Sequence, residues 1–385
     1  MSSTTLPVFE SPSQSRAPAR QGYLFGPITD VLGLGGASVF MLVALVALFP
    51  NPEDLRPRVA FTMFLVAHVI NHPHFAHSYQ LFYRGYREKI HPNSEDDLRG
   101  RYIWAGIILP AFLATFLLGA YTVGNALLIG FMVNLMGILV GWHYVKQGFG
   151  ILNVDAVLKK RFFSEREKTL LINNGLATWI FAWMNANRTF KEKDFFGISH
   201  YAFGIPDWLF YASAAIMVGF GAVTAYMLLR RAMDPERGLP TAGVIAYLCA
   251  LYLWTAAIGI NPLFALMVPA FHSLQYLLVV WRLQLNIERA DETQNAAPRS
   301  DSQLGTGPLK RLFFFYLIAA VAGFAGFWAL PFILQMFKVG QPNSASPLAA
   351  FAVFWLFINI HHYFIDNVIW RKGNRDVGKH LFAHT

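Results

Sequence analysis

Residues 59–83, VAFTMFLVAHVINHPHFAHSYQLFY, form a stretch that is long and apolar enough to cross a membrane. A membrane-spanning helix needs about 20 mostly apolar residues. Four histidines, at positions 68, 72, 74 and 77, nevertheless lie within it. Ionisable side chains are rare at membrane depth, because a charged one such as Lys or Asp costs roughly 2.5–3.5 kcal/mol there. The stretch therefore predicts both a membrane helix and a functional reason for its histidines.

The composition of the whole chain indicates a membrane protein. Its 385 residues are 55% hydrophobic and only 14% charged, whereas soluble domains carry about 25% charged residues. The net charge of +9 is explained by basic loops on one side of a membrane, so no nucleic-acid partner is expected. Cys249 is the single cysteine, which excludes an internal disulfide and a cysteine-based metal site.

The pattern of apolar stretches predicts an all-α fold, a polytopic transmembrane bundle of about ten spans. Very short links join the third span to the fourth and the seventh to the eighth, which favours antiparallel hairpins. The predicted spans are 28–49, 59–83, 102–121, 125–145, 168–187, 207–229, 241–260, 262–281, 312–337 and 348–370.

The distribution of lysine and arginine predicts the topology. With ten spans and a cytoplasmic amino terminus, 25 of the 31 basic residues fall on the cytoplasmic side, as the positive-inside rule requires. We therefore expect a multi-pass protein of the bacterial inner (plasma) membrane with both termini cytoplasmic. The predicted segments are a flexible cytoplasmic tail (1–27), an eight-span membrane region (28–285), a disordered cytoplasmic loop (286–310), a last transmembrane hairpin (311–371) and a cytoplasmic tail (372–385).

Eight of the 12 histidines lie inside predicted spans, and these spans are the second, fourth, eighth and tenth. All four run from outside to inside, and each places its histidines at mid-depth or in the cytoplasmic half. Neutral imidazole is the commonest protein ligand for transition metals. The clustering predicts a metal site whose candidate ligands are His68, His72, His77, His143, His272, His361 and His362.

Other polar residues of the same spans are expected to support these ligands by hydrogen bonding. Gln147, Gln275 and Asp366 each follow a histidine by three or four residues, which puts both side chains on one face of a helix. A metal-bound imidazole usually donates its second N–H to such a group. His74 follows Pro73, where a kink is expected, and is predicted to support the site as well. The sequence does not identify which residues are catalytic.

Two short motifs resemble a known enzyme superfamily. HVINH (68–72) and HFAH (74–77) resemble the histidine boxes of membrane non-haem di-iron desaturases and hydroxylases. The chain departs from that pattern at residues 358–362, where the superfamily has HxxHH and this sequence has Ile358 in place of the first histidine. In addition, HHYFIDNVIWR (361–371) looks like a signature of a bacterial polytopic membrane protein family of unassigned function.

These observations favour a metal-dependent membrane oxidoreductase, a non-haem iron oxygenase, hydroxylase or desaturase. The expected cofactor is iron, in a mononuclear or dinuclear site, with zinc or haem as alternatives. The expected partners are membrane lipid, an apolar small-molecule substrate and a soluble electron donor. Three alternatives stay open: a haem-binding electron carrier with His143 opposite His272, a proton or metal transporter, and histidines that only join helices by hydrogen bonds.

Overall fold

The computed structural model describes residues 22–49, 52–92, 97–295, 307–336 and 348–383, and 82% of these residues are helical. The predicted all-α class is confirmed. In chain order the helices are α1 (Pro27–Leu48), α2 (Pro52–Val69), α3 (Asn71–Tyr83), α4 (Tyr86–Ile90), α5 (Arg99–Thr122), α6 (Ala126–Leu158), α7 (Glu165–Ala186), α8 (Asp207–Ala232), α9 (Thr241–Ala256), α10 (Pro262–Asn295), α11 (Gly307–Met336), α12 (Ala349–Ile369) and α13 (Arg375–Leu381).

The number of spans differs from the prediction of ten. Seven of the described helices are long and apolar enough to cross a membrane: α1, α5, α6, α8, α10, α11 and α12. The other three predicted spans are helical but do not meet that description. Residues 59–83 are divided between α2 and α3, α7 has the length but is more polar, and α9 is apolar but short.

The break between α2 and α3 has a cause in the sequence. Pro73 lacks an N–H group and its ring would clash with the carbonyl of Val69, so it disfavours a continuous helix here. Pro57 and Pro269, by contrast, are accommodated within α2 and α10. The backbone leaves the helical region at Ile70, with φ −124° and ψ −59°. The hydroxyl of Tyr316, on α11, donates to the Val69 carbonyl at 3.0 Å and thereby satisfies the acceptor that the break sets free. The predicted kink is confirmed.

Two helices form the centre of the bundle. In α10 and in α12, 67% of the most apolar 18-residue segment is buried inside the protein, against 17–28% in the other five long helices. α12 packs on α3, α5 and α6, and α10 packs on α2, α3 and α11. α11 lies close to α3 at Gly323, where a β-carbon would lie 2.8 Å from backbone atoms of His72. Side chains on the buried faces of α10 and α12 are thus shielded by neighbouring helices.

A short β-hairpin, which the sequence did not predict, covers one end of the bundle. Strand β1 (Glu192–Phe195) pairs antiparallel with β2 (Ile198–Tyr201). Phe196 and Gly197 form the two-residue turn, both with positive φ, as such hairpins favour. The ring of Phe196 lies 6.0 Å from that of Trp355 on α12. The hairpin therefore packs on the central helix at the end that the basic-residue pattern assigns to the outside.

Two predicted loop segments are partly structured. Residues 22–26 precede α1, with Leu24 buried, and the buried carboxylate of Asp30 accepts the backbone N–H of Leu24 at 2.7 Å. α10 continues to Asn295, into the segment predicted to be a disordered loop. Residues 1–21 of the predicted tail and 296–306 of the predicted loop lie outside the described residues.

Candidate metal centre

Four side chains from three helices bring their ligand atoms together inside the bundle. They are His74 on α3, His143 on α6, and His362 and Asp366 on α12, and one ligand atom of each lies within 4.8 Å of the others. Oδ2 of Asp366 is 3.5 Å from Nε2 of His362 and 3.8 Å from Nε2 of His143. We refer to these four residues as the His/Asp cluster.

The candidate ligand atoms of the cluster are buried and make no hydrogen bond within the protein. Nε2 of His74, His143 and His362 and Oδ2 of Asp366 are all without a hydrogen-bond partner. A buried polar group without a partner costs about 1–3 kcal/mol. Four such atoms that face one another are hard to account for as helix contacts, and they fit the donor set of a metal ion.

Hydrogen bonds at the far side of two cluster residues hold these atoms in place. Nδ1 of His74 lies 2.9 Å from Oγ of Ser273, which leaves Nε2 to face the cluster. The hydroxyl of Tyr276 donates to Oδ1 of Asp366 at 3.1 Å and lies 2.6 Å from Oγ of Ser78. Metal ligands in proteins are commonly oriented by such outer partners. Ser273 was missed from the sequence, and Tyr276 was expected to line an apolar substrate channel and not to orient a ligand, because the residues they contact are distant in the chain.

Helical geometry explains why α12 supplies two members. His362 and Asp366 are four residues apart, so their side chains project from the same face. Asp366 was predicted to support a ligand, and His74 was given the same role. The structure instead places a ligand atom of each within the cluster. A carboxylate in a span and a histidine directly after a helix-breaking proline were the sequence signals for these roles.

His272 on α10, a predicted ligand, borders the cluster. Its ring centre lies 5.2 Å from that of His143 and 5.3 Å from that of His74. It stacks on Tyr144 with ring centres 3.8 Å apart, and its Nδ1 has no partner. His272 is not part of the group of residues whose ligand atoms all lie within 4.8 Å of one another.

His77 and His361, also predicted ligands, have both ring nitrogens engaged elsewhere. His77 has Gln80 Oε1 at 2.7 Å from Nδ1, and its Nε2 accepts from Trp281 at 3.4 Å. His361 has the Tyr79 hydroxyl at 2.7 Å from Nδ1 and a backbone carbonyl at 2.8 Å from Nε2. For these two, hydrogen bonding between helices, one of the alternatives left open, describes what the structure shows.

His68, near the end of α2, and His72, at the start of α3, lie side by side across the break at Ile70, and both rings are turned toward α11. Their ring centres lie 4.9 Å apart. Nδ1 of His68 bonds the Phe64 carbonyl at 2.8 Å and its Nε2 accepts from Trp328 at 3.1 Å. His72 stacks on Phe327 with ring centres 4.2 Å apart. Neither histidine belongs to the His/Asp cluster.

The two glutamines expected to support ligands bond other groups. The side-chain amide of Gln147 donates to the backbone carbonyl of His272 and to the side chain of Gln275, both at 2.9 Å. Gln275 in turn donates to the Leu34 carbonyl at 2.6 Å. These three bonds join α6, α10 and α1, and none of them involves an imidazole.

Three imidazoles and one carboxylate suit a divalent transition metal such as iron or zinc. A single Asp offsets one of the two positive charges of such an ion, which lowers the cost of holding it away from water. Comparisons with protein-family models, with curated proteins and with solved structures found no match to this chain. The resemblance to histidine-box enzymes therefore stays a prediction, and the argument for function rests on the His/Asp cluster.

Proposed function

We propose that this chain is an integral membrane metalloprotein whose His/Asp cluster holds one transition-metal ion. The observation that carries the proposal is the convergence of four buried, unpartnered ligand atoms from α3, α6 and α12 within 4.8 Å of one another. Such a spacing suits a single ion. Two-metal sites hold their ions about 3.5–4 Å apart and need further donors for the second. Of the two nuclearities predicted from sequence, we favour the mononuclear one.

Iron is the metal that we propose first, and zinc second. Histidine with carboxylate is a common donor set for non-haem Fe(II) in oxygenases, and when bound, iron at this position would supply one-electron and O₂ chemistry. A haem between His143 and His272, the alternative weighed above, conflicts with the structure. Their rings are in edge-to-face contact with centres 5.2 Å apart, which leaves no room for a porphyrin between them.

The activity that we propose for this site is that of an oxidoreductase acting on a lipidic or apolar substrate, which fits the apolar packing beside the cluster. Phe75 lies 4.8 Å from His362, ring centre to ring centre, and its own side chain is buried. Such packing keeps water away from the ligands. The Tyr276 hydroxyl donates to Asp366 and lies 2.6 Å from the Ser78 hydroxyl, so the carboxylate keeps a fixed orientation. A substrate would enter from the bilayer, and electrons would come from a soluble donor.

The location of the protein is part of this proposal. Seven apolar helices indicate a multi-pass membrane protein. We infer a bacterial inner membrane with both termini cytoplasmic from the basic-residue pattern, which requires that α7, α9 and the α2–α3 pair also cross. Cysteine-scanning accessibility of residues before α1 and after α13 in intact cells would test this topology. Labelling of both termini from outside, or of one alone, would contradict it.

Metal analysis of the purified chain tests the proposal. We expect about one metal ion per chain by mass spectrometry, no Soret band, and loss of the metal in His74→Gln and His362→Gln. His77→Gln is the matched control, because His77 is equally buried but has both nitrogens hydrogen-bonded within the protein. It should retain the metal.

Two results would contradict the metal proposal. One is a chain prepared anaerobically with iron supplied that contains no metal. The other is a metal content that falls as much in His77→Gln as in His74→Gln, since this would mean that the ion is bound elsewhere or lost through unfolding. With the metal established, reductant-dependent O₂ consumption stimulated by membrane lipid extract tests the oxidoreductase assignment. Absence of that consumption would favour a non-redox zinc role.

A further inference from the structure

A second candidate site lies outside the His/Asp cluster, at the end of the bundle that the basic residues assign to the cytoplasm. A cavity of about 200 Å³ opens where α3, α10 and α12 end or leave the membrane region. Ile369 lines it and follows Asp366 by three residues on α12, so at 1.5 Å per residue the cavity begins about one turn beyond the cluster. The two sites share helices but no residue.

One part of the cavity wall is basic. Arg84 follows α3, Lys89 lies on α4 and His380 lies on α13, and all three line the cavity. Nη2 of Arg84 donates to Oε1 of Gln284 at 2.6 Å, and the Lys89 ammonium lies 5.0 Å from the centre of the Tyr102 ring. These contacts fix the directions of both cations.

The rest of the wall is apolar or carries neutral polar groups. Leu81, Leu283 and Ile287 form an aliphatic surface. The amide of Asn374 lies against the hydroxyl of Tyr102, to which it donates at 3.1 Å. Among the described residues that line the cavity there is no carboxylate. The lining thus combines positive charge with a hydrocarbon surface.

We propose that this cavity binds a phosphate group that is attached to carbon, either the head group of an anionic lipid or a free phosphate monoester. Arginine and lysine are the side chains that recognise phosphate, and basic pockets between membrane helices on the cytoplasmic side hold anionic lipid head groups. The volume is below the 300–1,000 Å³ of a pocket for a whole drug-sized ligand, so it suits a head group. The proposal does not depend on a metal in the His/Asp cluster.

Lipid titration followed by native mass spectrometry tests this site in the full chain. We expect phosphatidylglycerol to bind more tightly than zwitterionic phosphatidylcholine. The double variant Arg84→Gln/Lys89→Gln should weaken phosphatidylglycerol binding at least about tenfold, since a hydrogen bond between charged groups is among the stronger ones. Val377→Trp, which fills the cavity without a change of charge, should weaken it as well.

Arg87→Gln/Lys372→Gln is the matched control, because both residues are exposed, lie near the same end of the bundle and do not line the cavity. It removes the same charge and should change the affinity less than twofold. An equal loss in the control, equal affinity for both lipids, or unchanged binding in the double variant and in Val377→Trp would overturn the proposal. Competition by glycerol 3-phosphate would assign the site to a free phosphate monoester, and absence of competition to the lipid.

Discussion

Replacement of Tyr276 by phenylalanine should weaken metal binding without removing any ligand. The Tyr276 hydroxyl donates to Oδ1 of Asp366 at 3.1 Å, while Oδ2 of the same carboxylate faces the cluster histidines. Without the hydroxyl, Asp366 is free to rotate and loses a buried hydrogen bond. Loss of such an outer partner typically costs 10–100-fold in metal affinity, which is about 1.4–2.8 kcal/mol.

A chelator competition assay in detergent would measure this effect. The dissociation constant for Zn²⁺ or Co²⁺ is determined for the wild type and for Tyr276→Phe. Tyr79→Phe is the control, because its hydroxyl bonds a histidine outside the cluster, His361, at 2.7 Å. We expect its metal affinity to stay within about twofold of the wild type. The reasoning is refuted if Tyr276→Phe binds as tightly as the wild type, or if Tyr79→Phe loses as much affinity.

Two further predictions concern the stability of the bundle. Gly323→Ala should lower the free energy of unfolding by about 1–3 kcal/mol, because its β-carbon would lie 2.8 Å from backbone atoms of His72 and α11 would have to move away. Arg231→Met should cost about 1–3 kcal/mol, because Arg231 is 2% exposed and its loss removes the 3.1 Å partner of Glu167 and the donor to the Phe162 carbonyl, while Arg237 still pairs with Glu167. Thermal or denaturant unfolding in detergent would measure both.

Each of these two substitutions has a control on the same chain. Gly326→Ala, on the same helix as Gly323, meets only a ring carbon of Phe354 at 3.6 Å and should be tolerated. Arg237→Met removes the other arginine that pairs with Glu167, but Arg237 is half exposed, so the expected cost is below about 1 kcal/mol. Controls as destabilised as the test variants would show that the helix contacts described above do not decide stability.

The sequence was sufficient for the class of fold because composition and span length are local properties. All ten predicted spans are largely helical where the structure describes them, and the predicted hairpin link at Thr122–Gly124 is a turn, where α5 ends and Gly124 has a positive φ. The number of spans was harder to predict. A segment such as 241–260 is apolar enough, but the helix ends at Ala256 through a π-helical turn, and no hydropathy window reports that.

The candidate site could be predicted as a group but not member by member. The shared depth of the histidines pointed to α3, α6, α10 and α12. Of the ligands predicted by this criterion, His143 and His362 have a ring nitrogen in the His/Asp cluster. The choice between His74 and His77 depends on which way α3 faces after the break at Ile70. That orientation is set by packing against α11 and α10, through Gly323 and Ser273, and distant contacts of this kind leave no local pattern.

The central claim is that His74, His143, His362 and Asp366 hold one metal ion, and anomalous diffraction at the metal absorption edge tests it most directly. For crystals of the iron- or zinc-loaded chain, the account predicts one anomalous peak about 2.0–2.2 Å from the three Nε2 atoms and from Oδ2 of Asp366. A peak beside His68 and His72, a pair of peaks in the bundle, or no peak in a chain that contains the metal in solution would contradict it.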